Sequence, residues 1–517
     1  MMAKYFNVTG ICIPEKHYMA DISATVRAIT ETLVDRGAYF TINRARQYGK
    51  TTTLYLLEKK LCERYLVLSL SFEAADDLFV SAYTFAAGLV RRIGKKLSMQ
   101  NIPAGILNAW NAPLSREFAL EDFSDRITEL CRACEKRIVL MIDEVDKSSD
   151  NQIFLSFLGL LRAKYLEQQK GQDHTFQSVI LAGVYDIKNL KLKIHHGQET
   201  KYNSPWNIAA DFNMNLSLSV SGIEGMLTEY ENDHHTGMDI PQIARAVYDY
   251  TSGYPYLVSR ICKLIDENCS WCRTGVSEAV RMILKSSNTL FDDMQKKILD
   301  YPELKRMIYS ILFGGKSFPY YPVSQPVKIG VLFGFIKEEE EQAVIANRIF
   351  ETFFYDLFLA EDILESKTYD TALQSRNQFV KNGILDMELI LMKFLEHYHE
   401  VYYDCTEKFA EENGRKLFLL YLKPIINGTG NYYIESRTRS MGRTDVVIDY
   451  LGRQTVVELK IWRGNEYHKR GEAQLVRYLE DYHLEKGYLL SFCFNQNKKI
   501  GKNVIQREGK TIVEVVV

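Results

Sequence analysis

An α/β protein of several domains is predicted by three features of the sequence. Tyr39-Phe40-Thr41-Ile42 reads as a short buried strand that enters Asn43 to Thr51, with helical periodicity following from Thr52 to Leu61. Arg137 to Ile142 is a nearly continuous apolar run, the pattern of a strand covered on both faces of a parallel sheet, and it ends in Asp143-Glu144. Near the C-terminus, the β-rich runs Val446 to Tyr450 and Gln454 to Ile461 meet at Leu451-Gly452-Arg453.

At 517 residues the chain exceeds what one hydrophobic core serves, so two to four domains are expected. The hydrophobic fraction of 46% and charged fraction of 25% are ordinary for a globular protein. No apolar run is long enough to span a bilayer, and no basic segment leads into a hydrophobic stretch at the start, so a cytoplasmic protein without membrane partners is expected. A net charge of −2 excludes a polycation, so any nucleic-acid site is a local basic surface. The nine cysteines do not suggest a disulfide framework. Cys131-x-x-Cys134 and Cys269-x-x-Cys272 are read as packing residues rather than two halves of a zinc site. The first pair precedes a buried strand, the second sits in a helical region, and no histidine pairs accompany them.

Strand, loop, Gly49-Lys50-Thr51, helix is the context of a phosphate-binding loop. Backbone N–H groups of Gly49 to Thr52 at the helix start would cradle phosphates. Lys50 would reach the β- and γ-phosphates of ATP, and the Thr51 hydroxyl would ligate Mg²⁺. The first glycine of the usual pattern is replaced by Arg44. The apolar run ending in Asp143-Glu144 supplies the second half of such a site. Asp143 would hold the Mg²⁺ shell, and Glu144 would orient and deprotonate the attacking water. Arg44 and Arg46 are further candidates for the γ-phosphate or the acidic pair.

With Leu451-Gly452 as a two-residue hairpin loop, Tyr450 pairs with Arg453, and counting outward sets Asp445 opposite Glu458 on one side of the sheet. Lys460 projects to that side too. Two facing carboxylates repel unless a cation lies between them, so a divalent metal beside a lysine is expected. Asp445 and Glu458 would bind Mg²⁺ with the Leu459 carbonyl, and Lys460 would orient a water and stabilise a phosphorane.

Asn43 to Thr51, Ile142-Asp143-Glu144, Gly183-Val184-Tyr185-Asp186, Ser204 to Ile208 and Gly253-Tyr254-Pro255 together resemble the bacterial AAA-ATPase-like family. Its members commonly carry a C-terminal nuclease of the PD-(D/E)XK class, and they tolerate arginine at the position of Arg44. The resemblance implies that Pro255 lies against nucleotide in a helical lid and that Arg260 acts as a sensor. Gly471 to Tyr478 is similar to the glutamine-bearing helix of PD-(D/E)XK nucleases, which makes Gln474 a catalytic candidate. Gly487 to Phe492 then completes the α-β-β-β-α-β order of that fold. The resemblance also implies a further metal-binding carboxylate from the preceding helix; of Glu407, Glu411 and Glu412, Glu412 is preferred. Arg437, Arg439, Arg443, Arg463, Lys469, Arg470 and Arg477 would offer a basic surface, with Trp462 and Tyr467 available for stacking or for packing.

Between these parts, a helix from Leu304 to Leu312, extended stretches at Val327 to Ile336 and Ala343 to Asn347, and the charge run Lys337 to Glu341 suggest a small winged-helix-like module. The expected layout is a P-loop core at 1–215, a helical lid at 216–298, the winged-helix-like module at 299–360, a linker at 361–380 and the nuclease domain at 381–517. The expected function is ATP binding and hydrolysis coupled to Mg²⁺-dependent cleavage of nucleic acid, DNA being favoured, in a homo-oligomer. The alternative is a nucleotide-dependent switch or scaffold whose C-terminal domain binds nucleic acid without cutting it.

Overall fold

The computed structural model describes residues 3–148, 151–184, 206–313, 316–321, 323–363, 366–402, 411–426, 430–434, 445–461, 465–481, 483–493 and 500–517. They form two compact units. The first is Met1–Met226 with Tyr254–Tyr256 and Leu332–Gly334; the second is Leu227–Gly253, Leu257–Val331 and Phe335–Val517. Among the described residues, no helix is long and apolar enough to cross a membrane.

The first unit is built on β1 (Phe40–Asn43), β2 (Leu66–Ser71), β3 (Ile138–Asp143) and β4 (Ser178–Gly183), all parallel in the order β1-β4-β3-β2. Successive side chains of a strand point to opposite faces, and β3 serves both. Ile138, Leu140 and Ile142 join one core with Phe85, Phe154 and Phe157. Val139 and Met141 join the other with Leu54, Leu57 and Leu61 of the helix Lys50–Leu61. Helices therefore cover both faces, and the polar ends of β1, β3 and β4 come out at one edge, where α/β sheets place their ligands.

The second unit begins with helices that include Ile240–Thr251, Arg273–Lys285 and Pro302–Leu312. The expected extended stretch from Val327 is instead the end of the helix Gln325–Leu332. Its short apolar run has no period that separates a strand from a buried helical turn, and Pro326 in the first turn favours the helix. Extended structure starts at β5 (Ile336–Glu339), which pairs with β6 (Gln342–Ile345). Glu340 and Glu341 form the turn at positive φ, so the charge run fills β5 as well as the tip. The stretch read as a linker carries the helix Lys367–Ser375, whose Thr368 and Ala372 are buried.

A small ladder, β7 (Val380–Lys381) with β8 (Ile384–Leu385), precedes a six-stranded sheet. Its strands are β9 (Gly430–Ile434), β10 (Asp445–Tyr450), β11 (Arg453–Ile461), β12 (Lys486–Phe492), β13 (Gly501–Arg507) and β14 (Lys510–Val516), in the order β13-β14-β12-β11-β10-β9. The helix Glu411–Ile426 comes before β9, and Asn465–Asp481 connects β11 to the parallel strand β12. Leu451 and Gly452 both take positive φ, as a two-residue type I′ loop requires. Gly452 has a second constraint: a Cβ there would meet Thr274 Cγ2 at 2.6 Å.

Candidate nucleotide site and C-terminal carboxylate site

The loop after β1 closes at Gly49, whose φ of 79° and ψ of 11° put it in the left-handed region natural to glycine. Gly49 caps the helix Lys50–Leu61, so the first N–H groups of that helix, including those of Thr51 and Thr52, lack helical partners. Lys50 is buried and donates from Nζ to the carbonyls of Arg44 and Ala45, both at 2.9 Å. Burial pushes its ammonium below the usual lysine range, against the opposing charges of Asp146, Glu144 and Asp143. The Thr51 hydroxyl donates to Asp143 Oδ2 at 3.0 Å, so the two expected Mg²⁺ ligands are brought together. The Thr52 hydroxyl instead accepts from the Cys12 N–H at 3.1 Å.

Pro255 is brought to this loop: a Cβ on Gly49 would lie 3.8 Å from its Cγ. The Tyr254 hydroxyl donates to the Arg46 carbonyl, and its ring stands edge-on to Tyr48 at 4.8 Å. Arg44 donates to the carbonyls of Asn43 at 2.8 Å and Met214 at 2.6 Å, with its guanidinium 5.2 Å from the Phe212 ring centre. It braces the loop against the 212–214 segment. Arg260 lies on the part of the helix Pro255–Asn268 that belongs to the second unit.

Beyond β3, Asp143 Oδ1 accepts from the Glu144 N–H at 2.9 Å, and Glu144 has φ of 58°. Burial, then the charges of Asp143 and Asp146, raise the Glu144 carboxyl above the ordinary glutamate range. Asp146 is a residue that motif reading passed over, although Asp143-Glu144-Val145-Asp146 holds three acids in four positions. Its two oxygens accept from the Val184 N–H at 2.6 and 2.7 Å.

In the C-terminal sheet, Asp445 pairs with Glu458, and Lys460 follows two residues along β11. Glu458 is fully buried, and its Oε1 lies 2.8 Å from Lys460 Nζ. Lys460 also donates to Gln474 Oε1 at 3.5 Å, and Gln474 Nε2 donates to the Tyr478 hydroxyl at 3.4 Å. Gly471 leaves room for the lysine stem: a Cβ there would touch Lys460 Cε at 3.5 Å. Three residues of the expected site are thus together. The side chains of Asp445, Glu411, Glu412, Tyr467, Lys469 and Arg470 lie outside the described residues, as do Glu407, Arg437, Arg439, Arg443, Trp462 and Arg463 altogether. Arg477 is described, and it is exposed. Among the described residues, no three His, Cys, Asp or Glu side chains group closely enough to hold a metal ion.

The AAA-like domain family matches residues 15–356, well over half of the sequence. The chain belongs to the AAA-like domain family. No curated protein matches it. Among solved structures it is similar to a Walker-type ATPase of Pyrococcus abyssi, with 13% identity over 68% of this chain and 99% of that one, at a TM-score of 0.46. It is also similar to the Aeropyrum pernix ORC1 protein in complex with DNA, with 11% identity over 66% and 94% of the chains, at a TM-score of 0.31. The Aeropyrum pernix ORC2 protein, in ADPNP-ADP complexes, gives 13% identity over 66% and 92%, at a TM-score of 0.36.

The matched range of this AAA-like chain holds both halves of the nucleotide site, from Gly49 to Asp146, and ends before the six-stranded sheet. The donor set at the first half suits the expected group. A hydroxyl and a carboxylate are hard oxygen ligands of the kind Mg²⁺ takes beside nucleotide phosphates, and the helix start offers N–H groups to the phosphates themselves.

Proposed function

We propose that this AAA-like protein binds and hydrolyses ATP with Mg²⁺ at the loop Asn43 to Thr52, and that its C-terminal domain cuts nucleic acid, DNA by preference, with a divalent metal. The observation that carries the first half is the Thr51–Asp143 contact, which joins a hydroxyl from a helix start to a carboxylate from a strand end at 3.0 Å. Gly49 and the N–H groups at the helix start would hold the phosphates, and Lys50 would leave the Arg44 and Ala45 carbonyls to meet them. Pro255 would pack on the nucleotide side of Gly49, and Arg260 would read its state. Glu144 would take a proton from the attacking water, a role for which a carboxylate raised above its ordinary range is a stronger base.

The second half is supported by the Asp445–Glu458 register together with the buried Lys460 and Gln474. Asp445 and Glu458, with Glu412, would hold a metal that acidifies water and polarises the scissile phosphate when bound. Lys460 would release Glu458 to the metal and donate to the charge developing on the phosphate, with Gln474 fixing its direction. The segment 381–517 would be the nuclease, and ATP would gate its cleavage within a homo-oligomer.

The test is cleavage of plasmid DNA and of RNA with and without ATP, crossed with Lys50→Ala and Glu458→Ala. The proposal expects metal-dependent cutting that Glu458→Ala abolishes and Lys50→Ala makes insensitive to ATP. Retained nucleic-acid binding with no cutting under any nucleotide condition would instead leave a nucleotide-dependent switch.

A further inference from the structure

The acidic loop after β3 presents a third carboxylate, Asp146, with no part in the proposed reaction so far. Both its oxygens accept from the Val184 N–H, at 2.6 and 2.7 Å. Val184 directly follows β4, the strand that lies between β1 and β3. One residue earlier, the Gly183 carbonyl accepts from the Arg44 N–H at 3.2 Å, and the Arg44 carbonyl accepts from Lys50 Nζ at 2.9 Å. Hydrogen bonds therefore run from the acidic loop, through the end of β4, to the lysine of the phosphate loop. The fit at Gly183 is close: a Cβ there would sit 2.5 Å from Asp146 Oδ1 and 3.0 Å from its Cγ. Glycine is the residue that leaves the carboxylate its place.

This path bears on Glu144, which stands at φ of 58°. Residues with a side chain stay in that region only when their surroundings hold them. Upstream, the Glu144 N–H is held by Asp143 Oδ1 at 2.9 Å. Downstream, the loop is held by Asp146 on Val184. We infer that Asp146 is a positioning residue of the nucleotide site, clamping the acidic loop to the end of β4 so that Glu144 keeps its left-handed backbone while water is attacked. The inference rests on the ATP-hydrolysis reading above. It separates two functions, because the clamp holds the backbone at Glu144 directly, whereas the phosphate loop feels Asp146 only through its charge on Lys50. The Arg44–Gly183 bond continues the β1–β4 pairing, in which Asn43 already faces Gly183, so the phosphate loop keeps its shape when Asp146 is lost.

The experiment uses the full-length protein and measures ATP turnover, the Kd of a non-hydrolysable ATP analogue, and the melting temperature. Asp146→Ala is expected to lower kcat by roughly 100-fold, the cost of displacing a reacting group by about 1 Å, with Kd changed far less. Asp146→Asn keeps one acceptor oxygen for Val184 and should recover part of the rate. Gly183→Ala leaves every charge in place but displaces the carboxylate, and should reproduce the loss seen in Asp146→Ala. Should Asp146→Ala fail to fold, the other two variants carry the same comparison. Loss of affinity in step with kcat, or full turnover in a folded Asp146→Ala or Gly183→Ala protein, overturns the inference. A wild type that hydrolyses no ATP overturns the hydrolysis reading and this inference with it; an active wild type with an equally active Asp146→Ala overturns this inference alone.

Discussion

The carboxylates at the end of β3 and on the β10–β11 hairpin are held in different ways. Asp143 meets neutral partners: the Thr51 hydroxyl, 92 positions away in sequence, and the N–H of its own neighbour. Glu458 meets a cation, Lys460, two residues along the same strand, with both side chains buried. A neutral hydroxyl can stay beside a carboxylate when a metal arrives. A buried lysine already neutralises its partner, so Glu458 must leave Lys460 before a cation can join it. The contrast predicts that two carboxylates with the same expected role contribute differently to stability.

The largest effect expected is on turnover. Glu144→Gln should lower ATP hydrolysis by roughly 100- to 10,000-fold in a steady-state assay while leaving nucleotide affinity intact. Unchanged turnover would remove Glu144 from the chemistry and leave Asp143 as a binding group only. Next comes the stability contrast itself. Glu458→Ala strands a buried ammonium and should cost about 3–5 kcal/mol in denaturant unfolding. Asp143→Ala removes a neutral contact and should cost about 1 kcal/mol. Equal losses would show that the two carboxylates do not differ as their partners suggest.

Asp449 offers a finer test of the hairpin. It is buried and accepts from the Tyr250 hydroxyl at 3.0 Å, the Gly452 N–H at 3.0 Å and Ser277 Oγ at 3.4 Å. Asp449→Ala leaves these donors without their acceptor and should cost about 1–3 kcal/mol. Burial raises the Asp449 carboxyl above its usual range, against the Tyr250, Gly452 and Ser277 hydrogen bonds and the Arg273 charge. The folded state thus holds this proton more tightly than the unfolded one. Its stabilising contribution is present below the unfolded pKa and is lost as pH rises through the folded pKa. Asp449→Asn should flatten that part of the stability–pH curve, read by melting temperature at several pH values; an unchanged curve would assign the pH dependence elsewhere. The smallest effect is expected at Arg44. Its anchorage to the Asn43 and Met214 carbonyls predicts that Arg44→Ala costs about 1 kcal/mol of stability and leaves ATP affinity in place, measurable by calorimetry. A large loss of affinity would give Arg44 a phosphate-binding role that its hydrogen bonds do not indicate.

How much of this the sequence disclosed depended on the distance over which each feature is decided. The hairpin register was legible because a two-residue loop fixes every pair outward from Tyr450 and Arg453, and Asp445 meets Glu458 by counting alone. The strands β3 and β4 were legible because burial on both faces leaves nearly unbroken apolar runs, and β1 because its short run leads into Gly49-Lys50-Thr51. Gly49, Lys50 and Thr51 were legible as a motif, although their meeting with Asp143 depends on packing of the whole sheet. The run Val327 to Leu332 reads as extended but is helical, because five apolar or small residues interrupted by Lys328 carry no decisive period. Asp146 and Asp449 escaped notice for another reason. Their partners, Val184 for the one and Tyr250 and Ser277 for the other, lie 38, 199 and 172 residues away, where no local pattern reaches.

On the proposed function, one chain holds two separate metal-dependent phosphate sites. Crystals of the full-length protein grown with Mn²⁺ and a non-hydrolysable ATP analogue would test it most directly through anomalous scattering. Two peaks are expected, one between Thr51 and Asp143 beside the phosphates and a second between Asp445 and Glu458 that disappears in Glu458→Ala. A single peak at the nucleotide, with Glu458 still paired to Lys460 at saturating Mn²⁺, would contradict it.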